Sequence, residues 1–282
     1  MAGTASWWLK LDRAGHHLKE VNDYLTAYER KDVYRPRRVR GPNDGESEWR
    51  YVLEIIEEPD ERLPLAIGDM VHNMRTALDH IMIAIRPQAY RYAPGFPILM
   101  DDPWQGELTK AKRDARARFD KAVRGLNADA VAAIKLLQPY LDRAEGNNPQ
   151  RNALGVIARL DNADKHREPI VMVPGIVHER TIVRTRGEEL EQRRPRSPSG
   201  YPGLADDGAE IAHFRWVKHP PLTEAEVKVD IRGTPLVVLD VGIEDGYMAA
   251  RDMLGRSLGY FVDHVIPVLE QFLPDRQPER PT

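Results

Sequence analysis

The chain has 282 residues and a formal net charge of −3, which allows one or two domains with a sizeable core and does not require a nucleic-acid or membrane partner. It has no cysteine, which excludes disulfides, thiolate metal sites and cysteine nucleophiles and fits a reducing compartment. No run is apolar enough to span a bilayer, and charges follow the first tryptophans too soon for a signal peptide. We therefore expect a soluble, cytoplasmic protein with no membrane partner.

The first two predicted elements are a helix and a β-hairpin. Residues 7–30 repeat apolar side chains at spacings of three and four, which is typical of a helix that packs against another helix. His16 and His17 lie beside this apolar seam and are interpreted as packing residues. Residues 33–57 hold two β-like runs around the turn-rich stretch GPNDGES, which predicts a hairpin. Its arginine-rich first strand is typical of an edge strand protected by charge, and an anion-binding strip is the alternative.

The longest helical pattern in the chain covers residues 64–86 and has no interior proline. One broad arc of this central helix is apolar, and the opposite arc is polar. Leu65 and Ile83 bracket the polar arc at its two ends, so we expect the helix to be covered on both sides. Polar side chains under such cover need partners or line a cleft. The polar arc consists of Asp69, His72, Asn73, Thr76, Asp79 and His80.

Two helices and a loop follow the central helix. Residues 88–104 contain one glycine and three prolines and are predicted to form a loop that carries Phe96 inward. Residues 107–124 form a strongly basic helical pattern. A solvated face is the ordinary interpretation, and a polyphosphate-binding surface is the alternative. Asn127 is expected to cap a short helix over residues 127–138.

A further helix is predicted over residues 151–165, and it carries an unusual acid. Asp164 falls in the middle of the apolar face, with Asp161 at the edge of that face. Asp164 is also close to the helix C-terminus, where the helix dipole disfavours a carboxylate. We therefore expect Asp164 to pair with Arg75 or with a histidine of the central helix. His166 at the same helix end joins the candidate site.

The remaining patterns complete an α+β fold. Residues 169–243 are predicted to be β-rich, with residues 187–207 as a mobile excursion, and residues 247–272 form a last helix that Pro267 is expected to kink. Residues 274–282 are a proline-rich tail that we expect to be disordered. The prediction is a single domain over residues 1–273. Its helical bundle core spans residues 7–30, 64–165 and 247–272, with an N-terminal hairpin and a β-rich insertion before the C-terminal helix.

The chemistry that the sequence offers is concentrated on the central helix. Glycine-rich phosphate loops, GxSxG elbows and HExxH motifs are absent from the sequence. Arg75 and His80 have an Arg-x4-His spacing, in which arginine can neutralise charge on phosphorus while histidine moves protons. They are about 140° apart on the helix, so a second helix or protomer must complete the site. The candidate residues are Asp69, His72, Asn73, Arg75, Asp79, His80, Asp164 and His166.

The Arg-x4-His spacing resembles that of the HEPN superfamily of helical, usually dimeric proteins, many of which are metal-independent ribonucleases of toxin and defence systems. This resemblance implies RNA and a second copy of the chain as partners, and no cofactor. Arg75 would stabilise the phosphate, and His80 would transfer a proton as a 2′-hydroxyl attacks. Thr76 departs from the asparagine, aspartate or histidine that often follows the arginine in that family. The early position of the motif and the β-rich insertion are further departures.

A second resemblance covers about half of the chain and carries no activity with it. A set of bacterial proteins combines an HN-x-R-x-ALDH helix, an FPI loop, a QPY helix end and a DN-x-DKHR segment. The same motifs occur here at residues 72–80, 96–98, 138–140 and 161–167.

Three interpretations of the candidate site stay open. The first is an HEPN-like RNA-binding protein or nuclease. The second is a non-catalytic binding or structural protein, in which the His/Asp/Arg cluster is a buried network that orients helices. The third is a mononuclear metal-binding hydrolase in which His72 and His80, with Asp69 or Asp164, would be ligands.

Overall fold

The computed structural model describes residues 5–40, 48–90, 94–144, 148–165, 172–186, 188–192, 204–215, 222–239 and 248–274. The fold is α+β, as predicted. The chain forms two compact units, which we name the helical unit and the β unit. The helical unit comprises Met1–Val21, Pro64–Ile170 and Arg251–Thr282, and the β unit comprises Asn22–Leu63 and Val171–Ala250. The predicted helical core at residues 64–165 lies within the helical unit, whereas residues 22–30, predicted as core, belong to the β unit. The single domain over residues 1–273 stays a prediction.

The helices have the periodicity and most of the bounds that the sequence predicts. The central helix, α2, buries a continuous apolar arc that includes Met70, Met74, Leu78 and Ile81. This burial stabilises the helix because apolar side chains leave water along its whole length. The α-helices are α1 (Ser6–Glu29), α2 (Leu63–Ile85), α3 (Lys110–Ala122), α4 (Ala128–Leu136), α5 (Tyr140–Ala144), α6 (Ala153–Lys165), α7 (Ala250–Tyr260) and α8 (Ile266–Glu270).

Side-chain caps fix the start of two helices. Thr109 accepts a hydrogen bond from the Lys112 amide, so α3 begins three residues later than the predicted residue 107. Asn127 caps α4 as predicted and accepts from the Ala130 amide at 2.8 Å. Each cap satisfies one of the amide groups that a helix N-terminus leaves without an intrahelical partner.

The last helical stretch is interrupted rather than simply kinked. A π-helical turn, Phe261–Val265, separates α7 from α8, and the Ile266 amide donates to the Phe261 carbonyl. Pro267 in the first turn of α8 has no amide hydrogen to donate and would clash with the preceding turn of an ordinary α-helix. The wider turn accommodates it. Helix α7 starts at Ala250 because Met248–Ala249 form a short strand, so the predicted start at residue 247 is wrong.

The prediction that α2 is covered on both sides holds only in part. Leu65 is 68% exposed and Ile83 is 47% exposed. The two residues are about five helical turns apart and point the same way. The polar arc between them is covered only in part. Asn73 is buried and Phe96 is bound to the C-terminal half of the arc, whereas Asp69 and His72 are exposed.

The described residues of the β unit form two antiparallel sheets. One has the order β1-β2-β6, and its β1-β2 pairing confirms the predicted hairpin. In the other, the long strand β3 pairs with β7 along one edge and with β4 and β5 along the other, and β8 pairs with β7. The strands are β1 (Tyr34–Val39), β2 (Glu48–Ile55), β3 (Met172–Thr185), β4 (Glu188–Gln192), β5 (Leu204–Asp206), β6 (Glu210–Arg215), β7 (Val227–Leu239) and β8 (Met248–Ala249).

Strands β4 and β5 correct the prediction of a mobile excursion over residues 187–207. Both ends of that segment pair with β3, because backbone groups along the edge of a long strand need hydrogen-bonding partners. Gly187 and residues 193–203 lie outside the described residues.

The arginines of β1 are paired with carboxylates. Arg35 and Arg37 contact Glu54 on the neighbouring strand, and Arg38 pairs with Glu224 while lying 3.6 Å from the centre of the Trp49 ring. These contacts favour the charged edge strand over the anion-binding strip.

None of the helices that the structure describes is both long and apolar enough to cross a bilayer. Beyond Pro274 the predicted disordered tail lies outside the described residues.

Candidate functional site

The C-terminal half of the polar arc of α2 holds the segment at residues 94–96. The Arg75 guanidinium donates to the Phe96 carbonyl at 2.7 Å, and the Asp79 carboxylate accepts from the Phe96 amide at 2.9 Å. Arg75 and Asp79, one turn apart, also lie 3.6 Å from each other. Both backbone groups of Phe96 are thus bound by side chains of one helix. The Phe96 ring is buried, as predicted.

Gly95 is needed at this contact because of the position of the Asp79 carboxylate. A Cβ atom added to Gly95 would lie 2.0 Å from the Asp79 Oδ1 atom. The carboxylate thus occupies the space that a side chain at Gly95 would take. The close approach lets Asp79 reach the Phe96 amide.

Arg86 strengthens the same contact from the end of α2. It is only 6% exposed, and its guanidinium donates to the carbonyl groups of Pro94 and Ala122. Burial lowers the pKa of Arg86, and the nearby Asp79 carboxylate opposes that change. Arg86 was not among the predicted site residues. The signal in the sequence was an arginine that directly follows an apolar helical run.

Gln138 binds the backbone just after Phe96, at Pro97 and Leu99. Its side chain is 1% exposed, donates to the Pro97 carbonyl at 3.0 Å and accepts from the Leu99 amide at 2.8 Å. The Tyr140 amide donates to the Leu99 carbonyl at 3.2 Å. We name Arg75, Asp79, Arg86 and Gln138 the loop clamp. It joins the HN-x-R-x-ALDH, FPI and QPY motifs by hydrogen bonds.

The N-terminal half of the polar arc is different, because its histidine faces solvent. The His72 side chain is 55% exposed, and its Nδ1 atom lies 3.7 Å from Oδ1 of Asp161, whose side chain is 3% exposed. Asp161 belongs to the fourth motif, DN-x-DKHR. At this distance the two atoms are in contact without forming a hydrogen bond.

Asn73, the next residue of α2, and Lys10 of α1 lie close to His72. The Asn73 side chain donates to the Asp69 carbonyl at 2.7 Å and accepts from the Lys10 ammonium of α1 at 3.4 Å. We name Lys10, His72, Asn73 and Asp161 the His72 site. The Asp69 side chain itself is exposed. Sequence reasoning did not find Lys10, because no local pattern connects it with α2.

The remaining predicted residues lie apart from the His72 site or outside the described residues. His80 is half-buried, and its Nδ1 atom is buried without a hydrogen-bonding partner among the described residues. The side chain of Asp164 and the whole of His166 are outside the described part of the chain, so the pairing expected for Asp164 stays a prediction. The α6 carboxylate that is described facing the central helix is Asp161.

Within the described part of the chain, no group of three histidine, aspartate or glutamate side chains converges to hold a metal ion. His72 and Asp161 lie close together but supply only two potential metal ligands. The predicted metal set of His72, His80 and Asp69 is not gathered into one cluster there, and Asp164 lies outside that part of the chain.

Comparison of the chain with models of known protein families, with curated proteins and with solved structures found no match. The arguments about function therefore depend on the residues and distances described above.

Proposed function

We propose that this chain binds RNA and, as a homodimer, cleaves it without a metal ion, as HEPN-like nucleases do. The observation that carries the proposal is the pairing of an exposed imidazole, His72, with a buried carboxylate, Asp161. An exposed histidine beside a carboxylate is suited to proton transfer. In this proposal His72 takes the proton-transfer role that the family spacing assigns to His80.

The proposed reaction is an attack by the RNA on its own phosphodiester. With Nδ1 on the side of Asp161, the other ring nitrogen of His72 accepts the proton of a 2′-hydroxyl. The 2′-oxygen bonds to phosphorus, the bond from phosphorus to the 5′-oxygen breaks, and that oxygen receives a proton from the equivalent imidazole of a second copy. The products are a 2′,3′-cyclic phosphate and a 5′-hydroxyl. The Lys10 ammonium donates a hydrogen bond to Asn73, the residue after His72. Lys10 is the cation that would neutralise charge on the phosphate.

Arg75 has a different part in this proposal from the one implied by its spacing to His80. Its hydrogen bond to Phe96 and its contact with Asp79 already engage the guanidinium. We therefore place Arg75 as a positioning residue that holds the loop. His80 is the second proton-transfer candidate.

The test is cleavage of end-labelled single-stranded RNA in EDTA. His72→Ala is expected to lower the rate about 100-fold or more, because general acid–base groups contribute at least that much. His16→Ala is the matched control, since His16 is also an exposed histidine, on α1 and outside the site. It should cleave at the wild-type rate. A substrate with 2′-deoxyribose at the cleaved position should stay intact.

RNA binding is expected to weaken steeply with salt as phosphate counterions are released. Wild-type protein that leaves RNA intact in EDTA, and binds it no better than an acidic control protein, would overturn the proposal. So would wild-type cleavage by His72→Ala. Cleavage lost by His80→Ala in a folded protein, with His72→Ala active, would return the role to His80.

A second candidate function is supported by the loop clamp. A non-catalytic binding protein would use the His/Asp/Arg cluster only to orient helices, and the bonds from Arg75 and Asp79 to Phe96 are of that kind. In that case His72→Ala and His80→Ala should lower the thermal midpoint, and neither should change any reaction of RNA.

A further inference from the structure

A cavity of about 1020 Å³ lies beside α3 in the helical unit, and the His72 site does not include any residue that lines it. Its walls are the segment at residues 98–105, one face of α3 and the helix α5. The volume is just above the range of about 300–1000 Å³ that is usual for small-molecule clefts.

Part of the cavity lining, which we call its floor, is apolar, and the bordering side of α3 carries small side chains. Ile98, Leu99, Pro103 and Leu141 contribute to the lining, together with the side of α3 that carries Ala111 and Ala115. Ala111 and Ala115 are one turn apart, so both methyl groups face the same way and leave room beside the helix. A flat, largely apolar group fits such a surface.

Trp104 and Tyr140 form an aromatic wall of the cavity, and contacts with neighbouring side chains hold the Trp104 ring in place. Trp104 contacts Phe119 edge to face, with ring centres 5.0 Å apart, and lies 6.2 Å from Tyr140. The Lys135 ammonium lies 4.3 Å from the centre of the Trp104 ring. These contacts fix the indole before any ligand arrives, which lowers the entropy that binding must overcome.

The charges around the cavity favour an anion. Lys112, Arg118 and Arg143 line it, and so do Asp101 and Asp102. Both acids are engaged: Asp101 pairs with Arg143 at 2.8 Å, and Asp102 accepts from the Trp104 amide at 2.8 Å. Arg118 has no hydrogen bond, ion pair or ring contact with any other described residue. Its guanidinium fork therefore has donors left for a phosphate.

We infer that this cavity binds a nucleotide, either free or within a single strand of RNA. The base would lie on the apolar floor, and the phosphate would bind Arg118, with the basic helix α3 adding long-range attraction. An inorganic phosphate lacks the base that would lie on the floor, and a nucleoside lacks the phosphate that would bind Arg118. This inference does not depend on cleavage of RNA by His72.

The test is calorimetric titration of the full chain with AMP, adenosine, inorganic phosphate and the trinucleotide r(AAA). AMP should bind at least about ten-fold more tightly than adenosine or phosphate, and Arg118→Ala should weaken AMP about ten-fold. Lys121→Ala removes a positive charge from the exposed side of the same helix and should change the affinity less than about two-fold. Ala115→Trp should fill the cavity and abolish binding, whereas Ala117→Trp, on the exposed side, should not.

The trinucleotide separates the two sources of the ligand. Tighter binding of r(AAA) than of AMP would indicate an RNA strand, and equal binding would indicate a free nucleotide. Absence of binding by both ligands at millimolar concentration would overturn the inference. So would an equal loss of affinity in Lys121→Ala and Arg118→Ala, because that result indicates a general electrostatic effect.

If Ala115→Trp does not fold, Arg118→Lys provides a second test of the site. This variant keeps the positive charge but loses the guanidinium fork, and it should bind AMP more weakly than the wild-type protein. His72→Ala should bind AMP normally, which separates this site from the proposed cleavage.

Discussion

The two halves of the polar arc of α2 have similar side chains but different surroundings. Around Phe96, Arg75 and Asp79 bind two backbone groups of a loop that lies against the helix. Near the other end, His72 is mostly in solvent, and the one acid described beside it, Asp161, is buried. A polar residue is structural where it satisfies a backbone group that would otherwise lack a partner, and it is available for a ligand where no such group is near.

This difference divides variants of α2 into two classes. Substitutions in the loop clamp should lower the free energy of unfolding, because they leave polar backbone groups without partners. Substitution of His72 should change activity and leave stability nearly unchanged, because an exposed side chain contributes little to folding.

The largest expected effect comes from Arg86→Ala. Its guanidinium binds the carbonyl groups of Pro94 and Ala122 while almost fully buried. Loss of two such bonds should lower the free energy of unfolding by about 3 kcal/mol, measured by urea denaturation. Arg113→Ala, on the exposed side of α3, is the control and should change it by about 0.5 kcal/mol or less. Equal effects of the two substitutions would contradict the structural role of Arg86.

The second prediction is a coupling between Gly95 and Asp79. Asp79→Ala should lower the free energy of unfolding by about 1–2 kcal/mol, because the Phe96 amide loses a charged acceptor. Gly95→Ala should lower it by a similar amount, because the new methyl group would displace the carboxylate from its position. In the double variant the displacement has no further effect, so the two changes should not add. A double-mutant cycle by urea denaturation measures this coupling, and additive values would show that the carboxylate does not depend on Gly95.

Asp161→Asn tests the other half of the arc. The substitution keeps the shape of the side chain but removes the charge beside the His72 imidazole. The cleavage rate should fall about ten-fold or more at saturating RNA while KM stays nearly unchanged, because the negative charge beside the imidazole is lost. Because Asp161 is buried, the free energy of unfolding is measured beside the cleavage rate. A large loss of stability with normal cleavage would assign Asp161 to the loop clamp class.

The smallest expected effect is that of metal ions. Neither EDTA nor added zinc or manganese should shift the thermal midpoint, since a ligand stabilises a protein only when it binds the folded state. Stabilisation by zinc that disappears in His72→Ala would instead favour the metal-hydrolase interpretation. His16→Ala serves as the control for nonspecific binding to an exposed histidine.

Much of the fold follows from rules that act over a few residues. The periodicity of the central helix, the cap at Asn127 and the turn-rich stretch of the hairpin are all visible in the sequence. The errors came where a local pattern has more than one tertiary outcome. Leu65 and Ile83 suggested cover on both sides of α2, but apolar residues at the ends of a polar arc can also face water.

The sequence by itself determined which helices form and which of them carries the polar residues, because helix periodicity and capping depend on neighbours within one or two turns. Only the tertiary structure decided what those residues do. Lys10 meets Asn73 across 63 positions of the chain, and Gln138 meets Leu99 across 39. A hydrogen bond requires its two atoms to lie about 3 Å apart, and no local pattern predicts such a distance between remote segments. For that reason Arg75 was recognised as a candidate from its spacing, while its bond to Phe96 and the pairing of His72 with Asp161 became visible only in the folded chain.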